Sequence, residues 1–461
     1  MVTISIISVF PQIHESFISL SLIGKAREKG LLTVNLIRFA DFVEVKERID
    51  QPLCGPTAGM ILKPEVVEKA INHCVSTYGD GFKIFFSPQG TQLSQPLLQE
   101  LGAKLFSHEP APQKSSAHHT HIILVCPRYE GMDARVEATY ADAIISIGDY
   151  VLMGGDLPAQ VMLEGLLRYA PGIVGNADSV EHDSFTGPFL DHPAYTLPVT
   201  WHGQEVPAIV RSGNHEAIRT WHREEACRTT LLKRFDWFAS SNPAPTDTAL
   251  ARKLIPPHYV VLMHDQIKLP DGRIGTTSVT SIDIHDTARS CATYGVENFF
   301  IVTPLTQQLA IVQTFLDFWH SAEGQAYNPS RYDAVRRVQT ATSLAVVLER
   351  IRAATGKEPV IITTSAKNIS HSNIIDFHDQ GAVWQHDRPV VFLFGTGQGL
   401  ADELVAASDY LLVPVKGMTN YNHLSVRSAM AIILDRWLGL QPRRRRLPTA
   451  MAQVGVAKSE K

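Results

Sequence analysis

Apolar positions along the chain fall into short runs separated by stretches of helical periodicity. In the first half the strand-sized runs are Val2–Val9, Leu32–Arg38, Lys83–Phe86, Ile122–Cys126 and Ala143–Ile147. In the second half Tyr259–Met263, Asn298–Val302, Val360–Thr364, Val390–Phe394 and Tyr410–Val413 repeat the pattern. Such runs alternating with helices predict an α/β fold with a parallel sheet in each half. From Gly175 to Trp237 the pattern changes. Asn214 stands where it can cap a helix, and apolar residues then recur at helical spacing through Leu232. Ser240–Thr248 combines Pro243 and Pro245 with small polar residues and reads as a linker. The expected organisation is an α/β domain at 1–174, a small helical domain at 175–239, a linker at 240–255, a second α/β domain at 256–440, and a basic disordered tail at 441–461 carrying Arg443 to Arg446.

No apolar run approaches the ~18 residues of a membrane span. Met1-Val2-Thr3-Ile4-Ser5 lacks the basic start of a secretion signal, so a cytoplasmic protein is expected. The chain has 461 residues, 44% of them hydrophobic, and a net charge of -4. That composition builds cores and excludes a protein that is basic throughout, so RNA binding would rest on local patches such as Arg219 to Arg234. The five cysteines form no CxxC pair, which argues against a disulfide scaffold or a cysteine zinc site. His118, His119 and His121 share no carboxylate at ligand spacing, and no metal site is assigned.

Candidate chemistry concentrates in four Gly- or Pro-rich segments: Cys54–Met60, Phe86–Gly90, Cys126–Gly131 and Ser146–Ala159. Three of them follow strands, where open α/β sheets bind ligands and where glycines let backbone approach closely. None is a dinucleotide fingerprint, a P-loop or a GxSxG elbow. Each alone is an ordinary turn. Together with Val9-Phe10-Pro11, Asp183-Ser184-Phe185, Leu190 to Thr196 and Val210 to His215, they resemble the bacterial tRNA (guanine-37-N1)-methyltransferase family (TrmD) from Met1 to about Trp237. The chain departs from that pattern at Leu53–Met60, where glycines are fewer, and at Pro127.

The resemblance implies a trefoil-knotted SPOUT fold, S-adenosyl-L-methionine as methyl donor, tRNA as substrate and a homodimer, with no membrane; magnesium would enter only with the tRNA. It assigns Asp183 as the base for N1 of guanine and Arg168 as the cation facing O6, roles that suit a carboxylate and a planar guanidinium. It places the donor on Ser87, Pro88, Gln89, Gly90, Tyr129, Glu130, Gly131, Ile147, Gly148, Tyr150, Leu152, Gly154, Gly155 and Pro158. It gives tRNA contacts to Asn214, His215, Arg219 and Arg223.

Residues 256–440 carry Phe394-Gly395-Thr396-Gly397-Gln398-Gly399-Leu400, Leu411–Gly417 and Asn422–Ala429. These are similar to a second SPOUT-class family of S-adenosylmethionine-dependent RNA methyltransferases. The similarity implies a donor cleft at Gly395, Thr396, Gly397, Gly399, Leu412, Pro414, Leu424 and Ser425, with Arg289 as a candidate for ribose 2′-hydroxyl chemistry. Three readings stay open at the sequence level: a tandem methyltransferase; a chain in which only the N-terminal half catalyses and the second half is a donor-binding, dimerising RNA module; and a non-catalytic nucleotide-binding regulator.

Overall fold

A computed structural model of the protein describes residues 1–56, 58–106, 121–174 and 183–441. The basic tail, His118, His119 and the opening of the expected helical domain lie outside these residues. The chain divides into two compact units, one ending at Thr186 and the other beginning at Gly187.

The first unit is built on β1 (Val2–Ser8), β2 (Leu32–Arg38), β3 (Phe82–Gln92), β4 (His121–Val125) and β5 (Ala143–Ser146), all parallel, in the order β2-β1-β4-β3-β5. Helices α1 (Pro64–Tyr78), α2 (Gln95–Phe106) and α3 (Asp156–Leu166) connect and cover it. Side chains alternate along each strand, so one sheet fills two cores. Ile4, Ile6, Ile84 and Leu124 face Leu98, Leu101, Met162 and Leu163 on one side. Ile7, Phe85, Ile123 and Val125 face Val66, Val67, Ala70, Ile71 and Cys74 of α1 on the other. That spacing on α1 is a helical stripe, and Pro64 opens the helix where a missing N–H costs nothing.

The second unit holds α4 (His215–Lys233), α5 (Phe235–Ser240) and α6 (Pro245–Leu254). Its strands are β6 (His258–Met263), β7 (Asn298–Val302), β8 (Val338–Ala341), β9 (Val360–Thr364), β10 (Ile374–Ile375), β11 (Val390–Gly395) and β12 (Tyr410–Leu412). They pair in parallel in the order β8-β7-β6-β11-β9-β12-β10. Further helices are α7 (Ser281–Thr293), α8 (Thr306–His320), α9 (Ala322–Tyr327), α10 (Pro329–Val335), α11 (Leu344–Thr355) and α12 (Val426–Leu438). Val260, Leu262, Phe392 and Phe394 fill one face, and Val261, Met263, Val391 and Leu393 the other.

Every expected strand is present. Within the two large sheets, two described strands are additional: β8 and β10, short strands at the sheet margins, β8 with polar Gln339 and Thr340 in its middle. Three two-stranded pairs, Asp50–Pro52 with Met60–Leu62, Thr200–Trp201 with Gln204–Glu205 and Ile267–Lys268 with Ile274–Gly275, were not expected either. The expected linker at 240–255 contains a helix instead. Pro245 occupies its first turn, Asp247 caps back onto the Ala244 N–H, and Ala251 is buried. The residues that read as linker chemistry are those of a helix start. Nor does the α4 region form a core of its own, for Cys227, Leu231 and Phe238 share the core of Val260, Phe392 and Trp437.

Candidate active site

A bulge within β3 and the carboxyl ends of β4 and β5 surround a cavity of about 360 Å³, within the usual range for small-molecule sites. Each wall has a local cause. The pairing of β3 with β5 breaks after Phe86 and resumes at Thr91, so Ser87-Pro88-Gln89 bulge out of the sheet. The turn after β4 carries Tyr129 at φ 59° and Gly131 at φ 105°. Met60 and Leu62 hold that turn: the Glu130 N–H donates to the Met60 carbonyl at 3.0 Å and the Leu62 N–H to the Gly131 carbonyl at 3.1 Å. The third wall follows β5, where the Gly155 N–H donates to the Pro127 carbonyl at 2.7 Å. A Cβ on Gly155 would lie 2.5 Å from Pro127 Cδ, so only glycine fits there.

All the expected donor-site residues except Gly90 line this cavity. Gly90 is the close crossing of β3 over β5, where a Cβ would stand 2.7 Å from the backbone of Ile144 and Ile145. Phe86, Arg128 and Ser146 fall within the segments singled out in the sequence but were given no donor role there; Met132, Glu137 and Ile145 lie outside those segments and were missed. Ile145 is an inner residue of an ordinary apolar strand and carries no motif signal, and Glu137 comes from a short helix beyond the Tyr129 turn. Glu130 and Glu137 bring two carboxylates to a wall of mixed polar and apolar character that also carries Arg128, and burial raises the Glu137 carboxyl above its usual range. Apolar side chains interleaved with polar groups and two acids, with the Arg128 charge answered by Asp156, suit a cationic nucleoside such as S-adenosylmethionine.

Behind the cavity lies Asp156, 1% exposed. It accepts from Ser8 Oγ at 2.5 Å, His14 Nε2 at 3.1 Å and Arg128 Nε at 2.9 Å. Burial alone would raise this carboxyl; hydrogen bonds from His14 and Ser8 and the Arg128 charge hold it below the usual range. Cys126 brings its sulfur to the same cluster, but the protein's own donors, a guanidinium among them, already engage the carboxylate. His121 is likewise engaged by the protein, through Ser5 Oγ at 2.9 Å and the Gly79 carbonyl at 2.8 Å.

Arg168 follows α3 and forms an ion pair with Asp183; both side chains are partly exposed. Neither lines the cavity. In the second unit Asn214 caps α4, accepting from the Ala217 N–H at 3.1 Å, and His215 and Arg219 are exposed on its first turns. Arg223 is paired with Asp247.

The residues expected to form the second donor cleft are spread among different environments. The Gly395–Gly399 turn is pinned from one side by the hairpin at 267–275: the Lys268 N–H donates to the Gly399 carbonyl at 2.9 Å, and Thr277 Oγ1 meets Thr396 Oγ1 at 2.5 Å. Leu412 is 1% exposed and packs into the sheet core. Pro414 is half-buried, Leu424 is exposed, and Ser425 caps α12. Asn422 Nδ2 donates to the Ala366 carbonyl at 2.6 Å, tying the loop before α12 to the end of β9. Arg289 is exposed on α7, beside His285 and Arg331. The guanidinium in the first turns of α7 and α12 is that of Arg427, which donates to Asp283 Oδ1 at 3.0 Å and lies 3.6 Å from Asp286.

Comparison with known proteins matches residues 2–240 to the model of tRNA (Guanine-1)-methyltransferase TrmD. Residues 257–439 match that of an SAM-dependent RNA methyltransferase family. A tRNA (guanine-N(1)-)-methyltransferase of Nitratidesulfovibrio vulgaris is 34% identical over 94% of this chain and 99% of its own length. A protein of the same name from Oleidesulfovibrio alaskensis is 32% identical with the same coverage. Another from Dictyoglomus turgidum is 36% identical over 55% of this chain and 97% of its own. With the cavity and both family matches in view, the chain belongs to the S-adenosylmethionine-dependent tRNA (guanine-N1)-methyltransferase family, extended by a second RNA methyltransferase domain.

Proposed function

We propose that the first unit transfers a methyl group to N1 of guanine 37 in tRNA, and that the cavity behind Tyr129 and Gly155 holds the donor. The observation that carries this is the convergence of three strand-end loops on one cavity with two carboxylates. S-adenosylmethionine supplies the methyl as an electrophilic sulfonium. Ser87, Pro88, Ile147, Leu152 and Pro158 would grip its apolar parts, and Glu130 or Glu137 would answer its cationic end. Asp183 would take the N1 proton and Arg168 would oppose charge growing on O6. Their separation from the cavity lining supports a homodimer in which one copy's acid serves its partner's donor. A trefoil knot through these loops belongs to the same reading.

The test separates chemistry from binding. Asp183→Ala should lower turnover by about 10²–10⁴ while donor affinity stays near normal, because a base acts in the transition state. Equal loss of donor binding by calorimetry would reassign the residue.

For the second unit we infer donor binding at the Gly395–Gly399 turn and the loop before α12, supported by the tie from Asn422 to Ala366. Ribose 2′-hydroxyl chemistry was the expectation attached to Arg289. The neighbours of that side chain favour contact with RNA over catalysis.

A further inference from the structure

Strands β7 and β8 are adjacent and parallel, a connection that one crossover helix would satisfy. Here residues between them form three helices, α8, α9 and α10. The added helices gather aromatic and cationic side chains against α7. Trp319 is buried, and the Arg331 guanidinium lies over its ring at 5.3 Å. Tyr327, 74% exposed, stands 6.2 Å from the same ring, and Phe318, 49% exposed, stands 5.3 Å from it. His285 meets Phe315 and Trp319 edge-on at 4.7 and 5.5 Å. Its Nδ1 is buried without a hydrogen-bond partner among the described residues. Arg289 and Arg331 both act on His285 electrostatically.

We propose that this face of α7–α10 is a stacking platform for unpaired RNA bases, with Tyr327 and Phe318 as the open rings and Arg331 and Arg289 as the phosphate-facing cations. Exposed rings beside guanidinium groups are how proteins hold single-stranded nucleic acid. Two of the neighbouring acids lie against other cations, and the other two are held within their own helices. Asp286 lies toward Arg427, Asp317 accepts from Gln313 Nε2 at 2.7 Å, and Asp333 is 3.7 Å from Arg336. Glu323 sits in the first turn of α9, beside that helix's own unpaired N–H groups. A second copy of the chain is the poorer occupant, because across a two-fold axis the same two arginines would face their own kind. The inference rests on the reading of residues 256–440 as an RNA-acting domain and adds where, and in which form, RNA would lie.

The full chain should be crosslinked by ultraviolet light to a single-stranded RNA oligonucleotide containing 4-thiouridine, digested, and the adducts mapped by mass spectrometry. Adducts are expected on peptides spanning Phe318 to Arg331. Tyr327→Ala and Arg331→Ala should each reduce them about fivefold or more, the low end of what one stacked base contributes, while Tyr327→Phe retains them. The melting transition of the second unit should stay unchanged in all three variants, which shows that they fold, and guanine methylation by the first unit should be unaffected. Adducts only elsewhere on the chain would overturn the proposal, as would equal yield from the same sequence in a duplex. A drop in sedimenting mass for Tyr327→Ala with adducts unchanged would give the face to a second copy. Donor titration of the same proteins keeps the readings apart: absent donor binding in the second unit removes its methyltransferase reading and leaves the RNA face standing.

Discussion

His258 shows how a single buried side chain commits the second unit to a protonation state. Its Nε2 accepts from both Trp384 Nε1 and Trp437 Nε1 at 3.1 Å, so the ring proton must sit on Nδ1, which donates to the Pro256 carbonyl at 2.7 Å. A second proton would confront two indole donors. Burial pushes this imidazole down to about 4, and His264 likewise to about 4. The unfolded chain, with histidine near 6.5, takes up protons first as pH falls. Stability from these two rings is therefore full above about pH 6.5, declines between about 6.5 and 4, and is gone below, at on the order of 3 kcal/mol each. Denaturation midpoints of the second unit should fall over that window, and His264→Gln should flatten part of the slope. A midpoint indifferent to pH between 6.5 and 4.5 would remove the argument.

At the scale of elements, the Gly395–Gly399 turn invites a direct test. A Cβ on Gly395 would lie 2.7 Å from Leu400 N, and backbone cannot swing aside as a side-chain tip can. Gly395→Val should therefore distort the turn and its pairing with Lys268, abolish donor binding in the second unit, and leave guanine methylation intact; parallel loss of both activities would mean the two units act as one. What the sequence made legible follows the same logic of local cause. Strands such as Val390–Phe394 were readable because burial on both faces demands an unbroken apolar run. The cavity loops were readable because close approach demands glycine or proline. Glu137 and Ile145 were hidden, since nothing local distinguishes a cavity-lining acid from a solvated one or one apolar strand residue from any other. The α6 helix was misread because Pro245 and Asp247 serve equally in a linker and in a helix's first turn, and only the burial of Ala251 decides between them.

At the scale of the whole molecule, the family boundary and the packing boundary disagree. The first family match ends at residue 240 and the second begins at 257, yet Cys227, Leu231 and Phe238 lie in the core of the second sheet. A fragment beginning at residue 241 would lack those side chains and leave the apolar surface around Trp384 and Trp437 uncovered. A fragment beginning at Gly187 keeps them. The longer fragment should melt cooperatively, and the shorter should aggregate or melt lower by about ten degrees or more, since losing buried side chains of this size costs about 2–5 kcal/mol apiece. Equal melting of the two would show that α4 and α5 are passengers.

That shared core bears on descent. Joining two reading frames costs a lineage little, but once helices from one ancestor have become the floor of the other's sheet, splitting the gene at the old seam strands greasy surface on both products. Fission would have to wait for polar replacements at Leu231 and Phe238, each of which harms the joined chain while it is still joined. The merger therefore works as a ratchet, and selection on stability alone would keep the two halves co-inherited even in a lineage that had stopped using one of them.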